Sequence, residues 1–585
     1  VIYRKLKEYA PERLAFAAIG IVLAFLAALL SIASYYMLYR FLVKIIADGD
    51  IRGAVPAAFR IAALLVANTA VYFLSLWATH ALGFRLETNL KKLGIRRLMQ
   101  ASFSFYDRND SGRIRKIIDD NTVLTHMSVA HLIPDLSTAV FVPVLGAALA
   151  FAVDVKLGVL FLVTLLLGLY FIQRMMGDRQ FMKRYMEAQE TMNAGAVEYV
   201  RGIHVLKIFR MNAESLREFH RAVLAYSDLA LRYSMSCRRW YVVFQVFFNA
   251  VYLTAMFFYS VRNGEPREFL AKFMFYVMFH GILFISFMKV MYVGMYLFQA
   301  NSAIGKIETL FREMEEKKLP RGTAEKMDSF DIEFRDVTFS YGEERVIENL
   351  SLTLPAGRSY ALVGSSGSGK TTLAKLISGF YQTDGGEIRI GGRALSEYSD
   401  GAFARNIANV FQDARLFQDT IYENVRAGRR SASREEVMEA LHLAQCDEIL
   451  GKFAGREETV IGSEGVHLSG GEMQRITIAR AILKNAGIVI LDEASAAADP
   501  ENEYELQRAL ANLMKGRTVI MIAHRLSSIR NVDEILVIEN GRVAERGSHG
   551  ELMRGDTRYR RLQEEFMRAN EWRVRGEAAP AAQAL

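Results

Sequence analysis

Apolar stretches long enough to cross a bilayer, about 20 residues each, recur through the first three hundred positions of this chain. They restrict its fold more than any other feature. They run near residues 14–39, 57–82, 132–153, 157–172, 241–261 and 269–298. Core helices of soluble proteins are seldom so long and so uniformly apolar. Composition agrees: 51% of residues are hydrophobic and the mean hydropathy is +0.12, values that a wholly soluble chain rarely reaches. The expectation is therefore a multi-domain membrane protein whose residues 1–311 form an all-α domain of six spanning helices. The two connections that follow the second and fourth stretches are long and basic. One holds Lys91, Lys92, Arg96, Arg97, Arg113, Arg115 and Lys116, the other Arg174, Arg179, Lys183 and Arg184. Positive loops stay in the cytoplasm, so both connections and both chain ends are expected there. Much of the net charge of +8 is thereby accounted for by a lipid bilayer and its orientation bias, and no nucleic-acid partner is needed. The cysteines, Cys237 and Cys446, stand far apart without companions of metal-ligand type, and read as packed thiols.

From residue 312 the chain turns polar, with Glu313, Glu315, Glu316, Lys317 and Lys318 ahead of Pro320 and Gly322. Residues 312–330 read as a linker, residues 331–570 as a soluble α/β domain, and the Ala-rich residues 571–585 as a disordered tail. In the soluble domain Gly364, Ser365, Ser366, Gly367, Ser368, Gly369, Lys370, Thr371 and Thr372 follow the apolar run Tyr360-Ala361-Leu362-Val363 and precede a helical pattern. A strand, a Gly-x-x-x-x-Gly-Lys-Thr loop and a helix make a phosphate cradle. Glycines let backbone N–H groups turn toward an anion, and the helix points its positive end at the same place. Lys370 is then expected to reach the β- and γ-phosphates of ATP, and the Thr371 hydroxyl to ligate Mg²⁺.

Further candidates follow in order along the chain. Tyr341 ends a strand ahead of the loop, where an aromatic ring can stack on a nucleobase. Gln412 ends the run Val410-Phe411, where a polar group can sense the γ-phosphate and Mg²⁺. Ser469, Gly470, Gly471 and Glu472 open a helix, a second anion-binding helix end that suits a nucleotide held by another domain. Asp492 ends the apolar strand Ile488-Val489-Ile490-Leu491 and can hold the Mg²⁺ shell. Glu493 follows it directly, placed to act as general base on water. His524 ends another apolar strand, where it can contact the γ-phosphate.

Taken together these motifs resemble the nucleotide-binding domain of ABC ATPases, with an α/β P-loop core and a helical subdomain, over about residues 332–568. The phosphate loop matches the Walker A motif, Tyr341 the A-loop, Gln412 the Q-loop and Leu468 to Glu472 the signature. Residues 488–492 match Walker B, Glu493 the catalytic glutamate, His524 the switch histidine and Asp499 the D-loop acid. With six spans ahead of it, the chain resembles an ABC half-transporter of exporter architecture. That resemblance implies ATP-driven alternating access by a dimer with a second half-transporter, identical or not, in the inner (cytoplasmic) membrane. It also implies that residues 105–120 and 198–209 are coupling regions. Two departures stand out: Gly462-Ser463-Glu464-Gly465 displaces the usual acid ahead of the signature by one place, and Ala496-Ala497-Ala498-Asp499 lacks the usual D-loop hydroxyl.

Short matches at residues 198–203 and 498–502, with the LSGGE signature, are similar to half-transporters linked to siderophores. On that basis uptake of a siderophore or metal–siderophore complex is the expected function. Export of lipids, peptides or drug-like amphiphiles is the alternative, and a non-transport ABC ATPase a more distant one. Inside the spans Asp135, His280 and Lys289 are the ionisable residues to explain, because intramembrane charges tend to face a cavity or one another. Lys289 and His280 are read either at a substrate cavity, where their charge suits an anionic chelate, or in helix-end or packing roles.

Overall fold

Hydrocarbon offers no water to a backbone amide, so a spanning segment must bond its own backbone. In the computed structural model the apolar stretches are accordingly helical. It describes residues 2–175, 179–209, 217–248, 266–411, 415–462, 465–492, 500–523, 529 and 531–575. Among the described residues, five helices are long and apolar enough to cross a membrane: Pro11–Ala47, Ile51–Gln100, Ser111–Val153, Val155–Met175 and Arg267–Glu316. They carry the first four expected spans and the sixth. The fifth, 241–261, begins within the helix Arg217–Val246 and lies outside the described residues from 249 onward.

The chain divides into two compact units, one of Val1–Arg96 with Ser111–Arg312, the other of Arg97–Asp110 with Glu313–Leu585. In the first, helices approach closely through small residues and hydroxyls, as membrane helices do when apolar burial offers little advantage over lipid. A Cβ on Gly20 would lie 2.5 Å from the Thr79 methyl. The Ser75 hydroxyl donates to the Gly20 carbonyl at 2.7 Å, and that of Thr79 to the Ala130 carbonyl at 2.7 Å. A second core is aromatic: Phe161, Phe275, Tyr276 and Phe279 are all fully buried, and the Tyr276 hydroxyl donates to Ala150 O at 3.0 Å. The basic connections are helical too. Ile51–Gln100 continues well past its apolar stretch, and Arg179–Arg201 pairs with Arg217–Val246 through the Tyr185 and Tyr226 hydroxyls, 3.0 Å apart.

In the second unit, among the described residues, ten strands form two sheets. They are β1 (Ile332–Tyr341), β2 (Glu344–Leu354), β3 (Ser359–Val363), β4 (Gly385–Ile390), β5 (Arg393–Ala394), β6 (Ile407–Val410), β7 (Ile488–Asp492), β8 (Thr518–Ile522), β9 (Glu534–Glu539) and β10 (Arg542–Gly547). The smaller sheet has the order β2-β1-β4-β5 and is antiparallel. The larger has the order β10-β9-β3-β8-β7-β6 and is parallel from β9 to β6. Alternate side chains of its strands enter different cores, as the two-residue repeat of a strand requires. Tyr360, Leu362, Ile488, Ile490 and Ile520 face a core shared with β1 and β2. Ala361, Val363, Val489, Leu491 and Val519 face one shared with helices that include Arg434–Leu443 and Gly470–Lys484. Burial on both faces is why these strands read as unbroken apolar runs.

Two boundaries differ from the sequence expectation. The helix Pro266–Glu316 runs on into the segment read as a linker, because no proline or glycine interrupts the helix-favouring Glu and Arg residues before Pro320. The helix Arg558–Arg575 likewise occupies the start of the segment read as a tail, while 576–585 lie outside the described residues.

Gly168 on Val155–Met175 has no room for a side chain, since a Cβ there would lie 2.2 Å from Cζ of the buried Phe287. Overpacking of this kind costs about 1–3 kcal/mol. Gly168→Val is therefore expected to lower the thermal unfolding midpoint in detergent, and Phe287→Leu in the same chain to recover part of the loss.

Candidate functional site

A parallel strand buried on both faces exposes chemistry only at its ends, and the phosphate loop leaves the carboxyl end of β3. Gly364, Gly367 and Gly369 adopt φ of +152°, +79° and +106°, a region that side chains disfavour. At Gly364 a Cβ would also collide with the Ile538 carbonyl oxygen, 2.2 Å away, and at Gly369 it would meet Ile347 Cδ1 at 2.9 Å. Gly367 faces open space. Gly369 caps the helix Lys370–Ile377, whose amino end therefore opens on the loop.

Lys370 is 4% exposed. Its ammonium donates to the carbonyls of Gly364 at 2.9 Å and Ser365 at 2.7 Å, and approaches Ser368 Oγ at 3.4 Å. The loop thus curls round its own lysine. Ser368 O also accepts from Gly541 N at 3.1 Å, which ties the loop to the turn between β9 and β10. Beside the loop the Thr372 hydroxyl reaches that of Tyr341 at 3.4 Å.

Register brings the acid to the same edge. Leu362 of β3 pairs with Ile522 of β8, and Ile522 with Asp492 of β7, so Asp492 stands level with the strand end that launches the loop. Ligands of open α/β sheets bind outside such carboxyl ends. The glycine cradle, the buried ammonium and the Thr371 and Asp492 oxygens fit a nucleoside triphosphate and a hard cation that takes most of its ligands from phosphate and water. Gln412, Glu493, Asp499 and His524 lie outside the described residues, as do Ser463, Glu464 and Ala496 to Ala498.

The signature residues sit elsewhere in the unit, on the helix Gly470–Lys484 that the chain forms between β6 and β7. Ser469 caps it reciprocally with Glu472: Ser469 Oγ accepts from Glu472 N at 3.3 Å, and the Glu472 carboxylate accepts from Ser469 N at 2.7 Å. Gly470 faces open space, so a ligand can approach the helix end. The Glu472 side chain is engaged within the unit. It is 8% exposed and holds Lys452 Nζ at 2.8 Å. Its burial alone would raise its pKa, but the bonds from Lys452 and Ser469 outweigh this and hold it below its ordinary value of 4.5.

Sequence reasoning did not foresee the surroundings of Tyr341. Its ring lies 5.4 Å from that of Tyr381, edge to face, and the Tyr381 hydroxyl donates to Asp107 Oδ2 at 2.8 Å. Burial, with Asp107 accepting this bond, raises the Tyr381 pKa well above the ordinary tyrosine range. Phe103 adds a backbone bond from its N–H to Phe380 O at 3.0 Å, and the two rings are 4.3 Å apart. Tyr341, Tyr381, Asp107, Arg108, Lys317 and Asp384 are among the residues that line a polar cavity of about 570 Å³ here. The advance signal was the resemblance that marks residues 105–120 as a coupling region.

In the membrane unit Lys289 meets Asp135 at 3.0 Å. His280 is placed apart from it: it is buried, with its ring centroid 3.8 Å from that of Phe248, and it does not line the cavity onto which Lys289 opens.

Gly364→Ala is expected to weaken ATP binding at least tenfold, because the new methyl cannot coexist with Ile538 O; titration with a fluorescent ATP analogue measures it. Glu472 gives a pH dependence. A carboxyl with a lower pKa when folded contributes stability above its unfolded value and loses it as pH falls through the folded one. Glu472→Gln preserves a capping-box side chain but not the ion pair. The variant should melt below the unmodified chain at pH 7, with the gap narrowing as pH drops below 4.5, the ordinary value.

Comparison with known proteins agrees with this geometry. Residues 347–496 match the family model described as ABC transporter, and residues 17–267 that described as ABC transporter transmembrane region. An ATP-dependent lipid A-core flippase of Pasteurella multocida (strain Pm70) is 32% identical over 476 residues, 80% of this chain and 81% of that one. The Uncharacterized ABC transporter ATP-binding protein YknV of Bacillus subtilis (strain 168) is 31% identical over 509 residues, 85% of this chain and 82% of that one. An ATP-dependent lipid A-core flippase of Escherichia coli (strain K12) is 47% identical over 226 residues, 38% of this chain and 39% of that one. The chain is an integral membrane protein that belongs to the ABC transporter family, an ATP-binding and ATP-hydrolysing half-transporter in which a helical transmembrane domain is fused to an ABC ATPase domain.

Proposed function

We propose that this chain forms one half of a dimeric exporter that uses ATP to move a lipid-like amphiphile out of the inner leaflet of the cytoplasmic membrane. The observation that carries this reading is the extent of the likeness to a named flippase. Its 476 aligned residues exceed the length of either unit, so the likeness reaches into the membrane half that must choose the substrate. The similarity to siderophore-linked transporters rests on a few short segments instead, and the amphiphile alternative takes precedence over siderophore uptake.

Bound ATP with Mg²⁺ supplies the phosphoanhydride whose hydrolysis drives the cycle. Lys370 exchanges the carbonyls of Gly364 and Ser365 for phosphate oxygens, with the N–H groups of residues 364–372 beside it. Thr371, Asp492 and Gln412 are the residues that would hold the cation, which would offset charge on the phosphates. Tyr341 stacks on the base. Glu493 takes a proton from the water that attacks the γ-phosphorus, while His524 steadies the γ-oxygens. Ser469, Gly470 and Gly471 of a second copy close over the same nucleotide, with Glu472 holding that helix end in shape and Asp499 at the facing edge. Residues 105–120 and 198–209 carry the resulting motion to the spans. Because only differential binding shifts a conformational equilibrium, the closed dimer must hold ATP much more tightly than the open one.

Mg²⁺-dependent ATP hydrolysis by the chain alone in lipid nanodiscs, beside Glu493→Gln, tests the catalytic part. Loss of about 10²- to 10⁴-fold is expected on removal of a general base. In proteoliposomes, ATP should move a fluorescent short-chain lipid and leave a ferric siderophore in place. The reverse result would reinstate siderophore uptake.

A further inference from the structure

Charge inside the spans is costly and needs a reason. Asp135 lies on the helix Asn121–Val153 and Lys289 on Pro266–Glu316, and their charged atoms meet at 3.0 Å. Tyr72, from Ile51–Gln100, donates its hydroxyl to Asp135 Oδ1 at 2.8 Å and sets its ring 5.1 Å from the Lys289 ammonium. Lys289 also donates to Thr138 Oγ1 at 3.0 Å. Three helices thus converge on one ion pair.

A pair that served packing alone would be closed off on all sides, since a half-solvated pair adds little stability. This one is open. The Asp135 and Lys289 side chains are 33% and 32% exposed and line a cavity of about 250 Å³ together with Leu132, Tyr292, Val293 and Tyr296. Lys289, Tyr292 and Tyr296 follow one another at three and four residues, so they share a helix face. Both tyrosines are more than 40% exposed. The volume equals that of about eight waters, room for a headgroup and not for acyl chains. Leu136 and Val140, exposed on the same helix as Asp135, offer apolar surface for chains outside it.

We propose that this cavity binds the headgroup of a zwitterionic amphiphile that carries both an amine and a phosphate; the inference rests on the export reading above. The signs decide the class. A purely anionic head that reached Lys289 would be held beside the Asp135 carboxylate, and a purely cationic one beside the Lys289 ammonium. A head with both charges replaces the internal pair by two external ones, phosphate on Lys289 and ammonium on Asp135. The Tyr292 and Tyr296 rings add faces that attract an ammonium, and Tyr72 keeps Asp135 oriented.

The test uses the full chain in nonionic detergent micelles and reads ATPase stimulation by lysophosphatidylethanolamine and by lysophosphatidylglycerol of the same acyl chain. The zwitterionic lipid should half-saturate at a concentration at least tenfold lower. Asp135→Asn, which frees Lys289 for an anion, should abolish or reverse that preference. Tyr296→Leu, which leaves the ion pair intact, should weaken the zwitterionic response alone and serves as the reading if Asp135→Asn does not fold. Equal response to both lipids, or a preference unchanged in both variants, would overturn the headgroup assignment while export stands. Silence toward every amphiphile, with ATP hydrolysis intact, would overturn both.

Discussion

A strand buried on both faces has no side chain to spare for a ligand, so whatever the sheet does chemically must happen where its strands stop. β3, β8, β7 and β6 run parallel and pair in register, which collects their carboxyl ends along one edge. From that edge come the glycine loop and Asp492. The packing that stabilises the unit and the geometry that handles phosphate are therefore one arrangement seen from two sides. Gly364 shows how tight it is, because the backbone turns against the Ile538 carbonyl with no space left for a methyl group. Lys370 rests on the loop's own carbonyls, a polar partner set that an anion can replace without exposing new apolar surface.

The membrane unit obeys different economics. Lipid tails compete evenly with leucine, so contact there depends on closeness and on hydroxyls that bond across to neighbouring carbonyls, as Ser75 and Thr79 do. Such packing tolerates an internal polar cluster if every member has a partner. Tyr72, Asp135, Thr138 and Lys289 meet that condition with one side left open, and His280 is buried against the Phe248 ring.

Local chemistry was legible in the sequence and distant pairing was not. The phosphate loop announces itself because anion cradling fixes glycine and lysine at set spacings, and hydropathy marks the spans because a bilayer demands length. The continuation of Pro266–Glu316 past the last apolar residue was missed because polar helix formers look the same in a linker. Lys289 and His280 were read together, but Lys289 meets Asp135 at a cavity while His280 is buried apart from it, a difference made by which helices touch. The inward turn of Glu472 toward Lys452 depends on a neighbour 20 positions away. The Tyr381–Asp107 bond joins residues 274 positions apart, a separation at which pattern carries no information.

That last separation bears on how the protein is made. Arg97–Asp110 belongs spatially to the ATPase unit, yet it leaves the ribosome more than two hundred residues before Lys317, Phe380 and Tyr381 exist to receive it. At about 5–20 residues per second, the segment waits for tens of seconds with Phe103 uncovered and Asp107 unpaired. The ATPase unit is thus joined by a segment made about two hundred residues ahead of it. A gene fragment cut at the start of the soluble sequence would encode a domain without the Phe103 ring that packs on its core.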